Sequence, residues 1–294
     1  MGKRLLLILN PMSGMMTGKK HLADVVSKFC QADYEPMVFV TGAAGDATRW
    51  ATRWGGQSDL VVVMGGDGTF TETVVGLLQG GHTTPIGYIP CGSTNDFAAA
   101  IGLQKSIPAA TDAILNGTPH TYDVGMFGDR PFSYVASFGV FTRASYATPQ
   151  NAKNVLGRLA YLLESVKDVA TIRPWHLSIE VDGQTVEGDY LFGAVSNSTT
   201  LGGVLKLNTD VVNMNDGMLE LLLVKMPRNP TELNECIVSL VEQRYDAAML
   251  TFLSSREFVV HAPAEMEWTL DGEWCGGVEK VTVRNRQDAI CLIH

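Results

Sequence analysis

Val61-Val62-Val63-Met64-Gly65-Gly66-Asp67-Gly68-Thr69-Phe70 decides how the first part of the chain is read. Four apolar residues in a row suit a strand covered on both faces. Glycine then takes three of the next four positions, and apolar residues resume at helical spacing from Thr71. Glycines permit positive φ angles and let backbone approach a ligand closely. Successive N–H groups ahead of a helix N-terminus form an anion site suited to phosphate. Asp67, set among them, has the chemistry to hold Mg²⁺, directly or through water. The plain alternative is a tight turn with Asp67 or Thr69 as helix cap. Two other phosphate motifs fail. Between Gly14 and Gly18 there are three residues, and Lys20 stands where a P-loop needs Ser or Thr. A dinucleotide fingerprint fails because Thr71 occupies the place of its third glycine.

Outward from that stretch, strand and helix signals alternate. Residues 4–9, 36–41, 59–64 and 85–89 read as strands. Residues 21–29, 45–54, 71–78, 94–101 and 106–116 read as helices. Such alternation predicts a mostly parallel sheet with helices on both faces. The pattern changes after about residue 123. Gly128-Asp129, Asp182-Gly183, Asp216-Gly217 and Asp271-Gly272 then punctuate alternating runs, each a two-residue hairpin signal. Residues 177–181, 185–190, 218–224 and 278–283 read as strands, and 152–171 and 231–250 as helices. The expected organisation is an α/β domain over 1–126 and a β-rich, sandwich-like domain over 127–284. The tail 285–294 is a candidate to complete the first domain. The cleft between two such domains is the default ligand site.

The 294 residues are 46% hydrophobic and 18% charged, which excludes wholesale disorder. A net charge of −9 argues against a broad nucleic-acid grip, so nucleic acid is not an expected partner. Residues 1–55 nevertheless carry seven Lys or Arg against four Asp or Glu, a mildly basic end that suits an anionic ligand or lipid surface. The five cysteines are scattered and form no C-x-x-C, which argues against a disulfide framework and against a zinc site. The apolar run 5–9 falls short of the roughly 7–15 residues of a signal core. The expected location is cytoplasmic, with transient visits to the inner face of a membrane.

Four further stretches lie in register with the glycine turn. They are Asn10-Pro11-Met12-Ser13-Gly14, Thr41 with Gly45-Asp46-Ala47, Pro90-Cys91-Gly92-Ser93-Thr94-Asn95-Asp96-Phe97-Ala98, and Leu270-Asp271-Gly272-Glu273. Together they resemble the soluble diacylglycerol kinase family, which also contains the sphingosine and ceramide kinases and bacterial lipid kinases. The resemblance implies an NAD-kinase-like α/β domain, a β-sandwich domain and ATP bound between them. NAD kinases share Gly-Gly-Asp-Gly-Thr, but the stretch from Ile86 to Asp96 fits lipid kinases better. This sequence departs from the family pattern at Ser93, where Thr is usual, and at Ala99, where Arg is usual.

The candidate chemistry follows. Gly65, Gly66, Asp67, Gly68 and Thr69, with Asn10, Ser13, Thr41, Ser93, Thr94 and Asn95, are the candidates for nucleotide contacts. Asp67, Asp96 and Asp123 fall at or near predicted strand ends and are expected to meet around Mg²⁺ at the triphosphate. Asp96 could instead cap a helix, and Asp123 pair with a surface Lys. Asp271-Gly272 reads by itself as a hairpin turn. The resemblance alone implies that a carboxylate here takes the proton of a lipid hydroxyl, with Glu273 favoured over Asp271. It also implies a second Mg²⁺ at Asn213, Asp216 and Met218, where a plain turn explains the residues equally. The six His show no metal or catalytic spacing. Helix 152–171, with Lys153, Arg158 and Lys167, is a core helix or a membrane-facing lid.

The function expected is ATP- and Mg²⁺-dependent phosphorylation of a lipid hydroxyl, diacylglycerol first, at a membrane surface. The rivals are a non-catalytic nucleotide- or lipid-binding regulator, and a kinase for a sphingoid lipid, phosphatidylglycerol or NAD. An exposed β edge leaves a homodimer open.

Overall fold

The computed structural model describes residues 2–14, 17–104, 106–139, 173–201, 205–207 and 212–294. The expected helix 152–171 lies outside them. The chain forms two compact units, one of Met1–Val124 with Gln287–His294 and one of Gly125–Arg286. Among the described residues no helix is long and apolar enough to cross a membrane.

In the first unit, β1 (Lys3–Leu9), α1 (Thr17–Gln31), β2 (Tyr34–Val40), α2 (Asp46–Trp54), β3 (Leu60–Gly65), α3 (Asp67–Gln79), β4 (Ile86–Pro90), α4 (Asp96–Ala100) and α5 (Ile107–Asn116) follow in order. The strands pair in parallel in the order β4-β3-β1-β2. β3 is buried along its whole length, as a strand with helices on both faces should be. Leu5, Leu7, Leu9, Val62 and Met64 build one core with Val25 and Phe29 of α1 and Ile107 and Ile114 of α5. Ser106 caps α5 by accepting the Ala109 N–H, with Pro108 in the first turn. β5 (Pro119–Phe127) and β17 (Lys280–Ile293) each begin in one unit and end in the other. The end of β17 joins the parallel sheet, with Leu292 beside Ile86.

The second unit is antiparallel. It contains β6 (Arg130–Phe132), β7 (Val135–Gly139), β8 (Trp175–Val181), β9 (Gln184–Ser196), β10 (Thr200–Leu201), β11 (Leu205–Lys206), β12 (Leu219–Lys225), α6 (Pro230–Val241), β13 (Leu250–Ser255), β14 (Glu257–His261), β15 (Glu267–Leu270) and β16 (Glu273–Gly277). Its ladder runs β16-β15-β7-β9-β8-β14-β17, with β12 added to β9 and β13 to β12. β9 is long enough to pair with β8 through Gln184–Tyr190 and with β7 and β12 through its second half. One core gathers Phe132, Phe138, Phe258, Met266 and Trp268. A second sets Leu222, Val224 and Phe192 against Cys236 and Leu240 of α6.

Asp182-Gly183 and Asp271-Gly272 have positive φ at both positions, the signature of a two-residue type I′ hairpin. Gly128-Asp129 also joins a hairpin, β5 to β6. Asp216-Gly217 does not. It leads into β12, whose partners are β9 and β13. The helix expected over 231–250 ends at Val241. Gln243 turns left-handed, with φ of 56°, and residues from Leu250 onward pair with β12 instead. Period alone could not separate a helical apolar face from the short strand that follows it. Gly139 sits at φ of 98°, and a Cβ there would meet the Leu191 carbonyl oxygen. Gly139→Ala should therefore lower unfolding free energy by about 1–3 kcal/mol in denaturant titration, from backbone strain plus overpacking.

Candidate active site

The glycine turn differs from its sequence expectation in one instructive way. None of Gly65, Gly66 and Gly68 has a positive φ. Gly66 is the extended N-cap of α3 (φ −94°, ψ −174°), and the helix begins at Asp67 rather than at Thr71. The glycines are needed for space. A Cβ on Gly65 would stand 2.6 Å from the Thr69 Cβ, and one on Gly66 would stand 3.2 Å from the Gly92 Cα. A Cβ on Gly68 would meet nothing within 4 Å, so this backbone faces open space. Gly66, the N-cap of α3, brings no side chain of its own to the helix N-terminus. Exposed amides at a helix start attract anions.

Three strand ends are laced around this turn. Asn10, after β1, donates from Nδ2 to Thr69 Oγ1 at 3.0 Å and accepts the Met12 N–H at 2.9 Å. Ser13 Oγ accepts the Gly66 N–H at 3.1 Å. After β4, Asn95 stands in the left-handed region (φ 54°). Its side chain accepts the Gly92 N–H at 2.8 Å and donates to the Gly92 carbonyl at 3.0 Å. Ser13 and Asn95 thus hold the loops that hold the turn. Ser93 and Thr94 are exposed, with hydroxyls that have no hydrogen-bond partner among the described residues. Thr41 follows β2 and donates its N–H to the Leu9 carbonyl at 2.9 Å.

Beyond Thr41, two carboxylates occupy the backbone amides of the next loop. Asp46 Oδ2 accepts the N–H groups of Gly42 and Ala43 at 2.8 and 3.0 Å. Those bonds, then Arg49, hold its carboxyl below the usual range. Glu72, on α3, accepts the N–H groups of Gly45 and Ala47 at 2.9 and 3.2 Å. Glu72 is the cap of α2 that sequence reading missed. It lies 25 residues or more from the amides it serves, so no local signal marks it.

The three carboxylates expected around Mg²⁺ have different surroundings. Asp67 Oδ1 accepts the Phe97 N–H at 3.2 Å. Burial pushes its carboxyl up, against the pull of the amides of residues 95–97. Asp96 is buried at the start of α4. Asp123 is fully buried in β5, where Oδ1 accepts the Asp288 N–H at 2.9 Å and ties β5 to β17. Among the described residues no set of three His, Cys, Asp or Glu stands ready for a metal ion.

In the second unit, Asp271 and Glu273 differ sharply. Asp271 is buried, and its two carboxylate oxygens accept the N–H groups of Ser133, Tyr134 and Val135 at 2.6, 2.9 and 3.0 Å. Glu273 follows the turn and is exposed, and its carboxylate has no hydrogen bond or ion pair among the described residues. At Asn213, Asp216 and Met218 each expected ligand oxygen has an internal donor. Asn213 Oδ1 accepts the Asn215 N–H, Asp216 Oδ1 accepts the Met218 N–H, and the Met218 carbonyl accepts Asn285 Nδ2 at 2.7 Å. Two Asx turns shape this loop.

Two expectations test this geometry. A Cβ on Gly92 would stand 2.6 Å from the Gly66 Cα and 2.7 Å from Asn95 Oδ1, so Gly92→Ala should part the loops. Unfolding free energy in denaturant titration should fall by about 1–3 kcal/mol. Asp46, whose carboxyl is lowered from 3.8, contributes stability that is present above that value and lost as pH falls through the lowered one. Asp46→Asn should remove that acid dependence and speed amide exchange at Gly42 and Ala43, measured by NMR.

Comparison with known proteins bears on the same elements. Residues 4–127 match the family model of the diacylglycerol kinase catalytic domain, and residues 134–293 match the YegS C-terminal NAD kinase beta sandwich-like domain. A diacylglycerol kinase of Bacillus subtilis is 34% identical over 276 residues, covering 93% of this chain and 91% of its own. One of Staphylococcus saprophyticus is 30% identical over 279 residues, covering 94% and 90%. A crystal structure of a diacylglycerol kinase from Bacillus anthracis superposes with a TM-score of 0.77 at 21% identity, over 100% of this chain and 97% of that one.

Proposed function

Because the chain belongs to the diacylglycerol kinase family, we propose that it transfers the γ-phosphoryl group of ATP to the free hydroxyl of diacylglycerol, giving phosphatidic acid. The observation that carries this reading is the α3 N-terminus behind Gly65-Gly66-Asp67-Gly68, with open space before Gly68. Its amides and helix dipole suit a polyphosphate. Asn10, Ser13 and Asn95 keep the turn in shape, so that little reorganisation is needed when the nucleotide binds. Ser93 and Thr94 supply exposed hydroxyls beside it.

Mg²⁺ bound with the nucleotide would neutralise charge on the transferred group. Asp67 fits that ion best, because it lies in the first turn of α3 beside the open space at Gly68. Asp96 and Asp123 then serve the fold around it. Glu273 is the base. Its carboxylate is uncommitted, so it takes the proton of the lipid hydroxyl as that oxygen bonds to phosphorus and the bond to the ADP oxygen breaks. Asp271 positions the hairpin that carries Glu273. Its oxygens already serve three N–H groups and have little capacity for a moving proton.

Transfer from radiolabelled ATP should appear on diacylglycerol in vesicles ahead of sphingosine, ceramide, phosphatidylglycerol and NAD, and Asp67→Ala should abolish it. Glu273→Gln should lower kcat by about 10²–10⁴ without changing denaturant stability. Asp271→Asn should instead lower stability by about 1–3 kcal/mol, because one N–H loses its acceptor. The reverse pattern would exchange the two roles.

A further inference from the structure

Trp274 is 68% exposed, an unusual state for so large an apolar ring. It is the residue next to Glu273 on β16, which among the described residues pairs only with β15 and so stands at the edge of their ladder. The register explains where the ring goes. Leu270 pairs with Glu273 and Thr269 with Trp274, but Trp268 pairs with Gly276, so Cys275 is an extra residue on the edge strand. Such a bulge bends a strand and re-aims its side chains. Gly276 takes φ of 81°, and a Cβ there would stand 3.6 and 3.7 Å from Cζ2 and Cη2 of Trp274. The indole therefore lies along the strand against bare backbone, with no aromatic or hydrogen-bond partner among the described residues. Two features extend the patch. Val278, just beyond β16, is 37% exposed. The exposed guanidinium of Arg130 donates to the Cys275 sulfur and carbonyl at 2.9 and 3.4 Å.

We propose that this edge is the surface that seats in the lipid bilayer interface, with Trp274 as its anchor. The inference rests on the reading of Glu273 as the base toward a lipid hydroxyl. An indole suits the interfacial layer, where its apolar body is buried and its N–H stays among headgroup oxygens. Arg130 beside it meets lipid phosphate. A base one residue from the anchor is thereby held at the depth where the acceptor's hydroxyl lies. A soluble acceptor would need no such anchor.

Trp274→Ala and Trp274→Phe separate this role from a structural one. Binding is measured by sedimentation with vesicles of phosphatidylcholine and phosphatidylglycerol. Depth is measured by quenching of tryptophan fluorescence with brominated lipid. Kinetics are measured on diacylglycerol in vesicles and on monomeric short-chain diacylglycerol. Trp274→Ala should weaken vesicle binding about tenfold, the scale set by burying an aromatic side chain. KM for vesicle substrate should rise, while kcat on the short-chain substrate stays unchanged. Trp274→Phe should restore most of the binding yet lose the quenchable part of the wild-type fluorescence. Unchanged vesicle binding and quenching in Trp274→Ala overturns the proposal, whether or not turnover persists. So does loss of a dimer in light scattering with vesicle binding intact, which would make the ring a contact between copies. If no lipid is phosphorylated but the quenching and binding differences stand, the kinase reading fails and the interfacial anchor survives.

Discussion

The approach of Gly66 to Gly92, with no side chain on either, is the constraint around which the first unit's loops are arranged. It brings the loops after β1, β3 and β4 close enough to share one hydrogen-bond network. Ser13 reaches the Gly66 amide, Asn10 reaches Thr69, and Asn95 closes its own loop on Gly92. A methyl group on Gly92 would stand 2.6 Å from the Gly66 Cα and wedge that network apart. Parallel strands supply the framework, since their carboxyl ends all open on one edge of the sheet. The polar side chains there spend much of their bonding capacity on one another. The start of α3 remains the feature available to an anion.

The second unit divides its acids differently. Asp271 is a structural anion, enclosed by three amides at a type I′ turn. Glu273, two residues later, has no such commitments. Position produces that contrast: Asp271 stands in the turn, where the amides of residues 133–135 enclose it, and Glu273 opens the strand β16. The same edge carries Trp274 against Gly276, so polar chemistry and an exposed ring come to lie within a few residues of each other. Glu72 and Asp46 show the structural use of acids in the first unit, where they occupy loop amides that could otherwise bind an anion.

The chain's own residues announced the alternation of strands and helices, the burial of β3 and the hairpins at Asp182 and Asp271, because each depends on local period or on a residue able to adopt positive φ. The family motifs named the loops that carry the site. Local pattern could not reveal that β9 serves two sets of partners, that α6 stops at Val241, or that Glu72 of α3 caps the neighbouring helix α2. Nor could it tell a carboxylate in a core from one in solvent. Asp67, Asp96 and Asp123 look alike along the chain, yet Asp123 is fully enclosed and bonded to the Asp288 amide. Sequence by itself determined the alternation of strands and helices in the first unit and the hairpin turns at Asp182 and Asp271, since those follow from the spacing of apolar residues and from residues able to adopt positive φ. Only the tertiary structure decided what each polar group does there, since hydrogen-bond partners and burial are set by segments far apart along the chain.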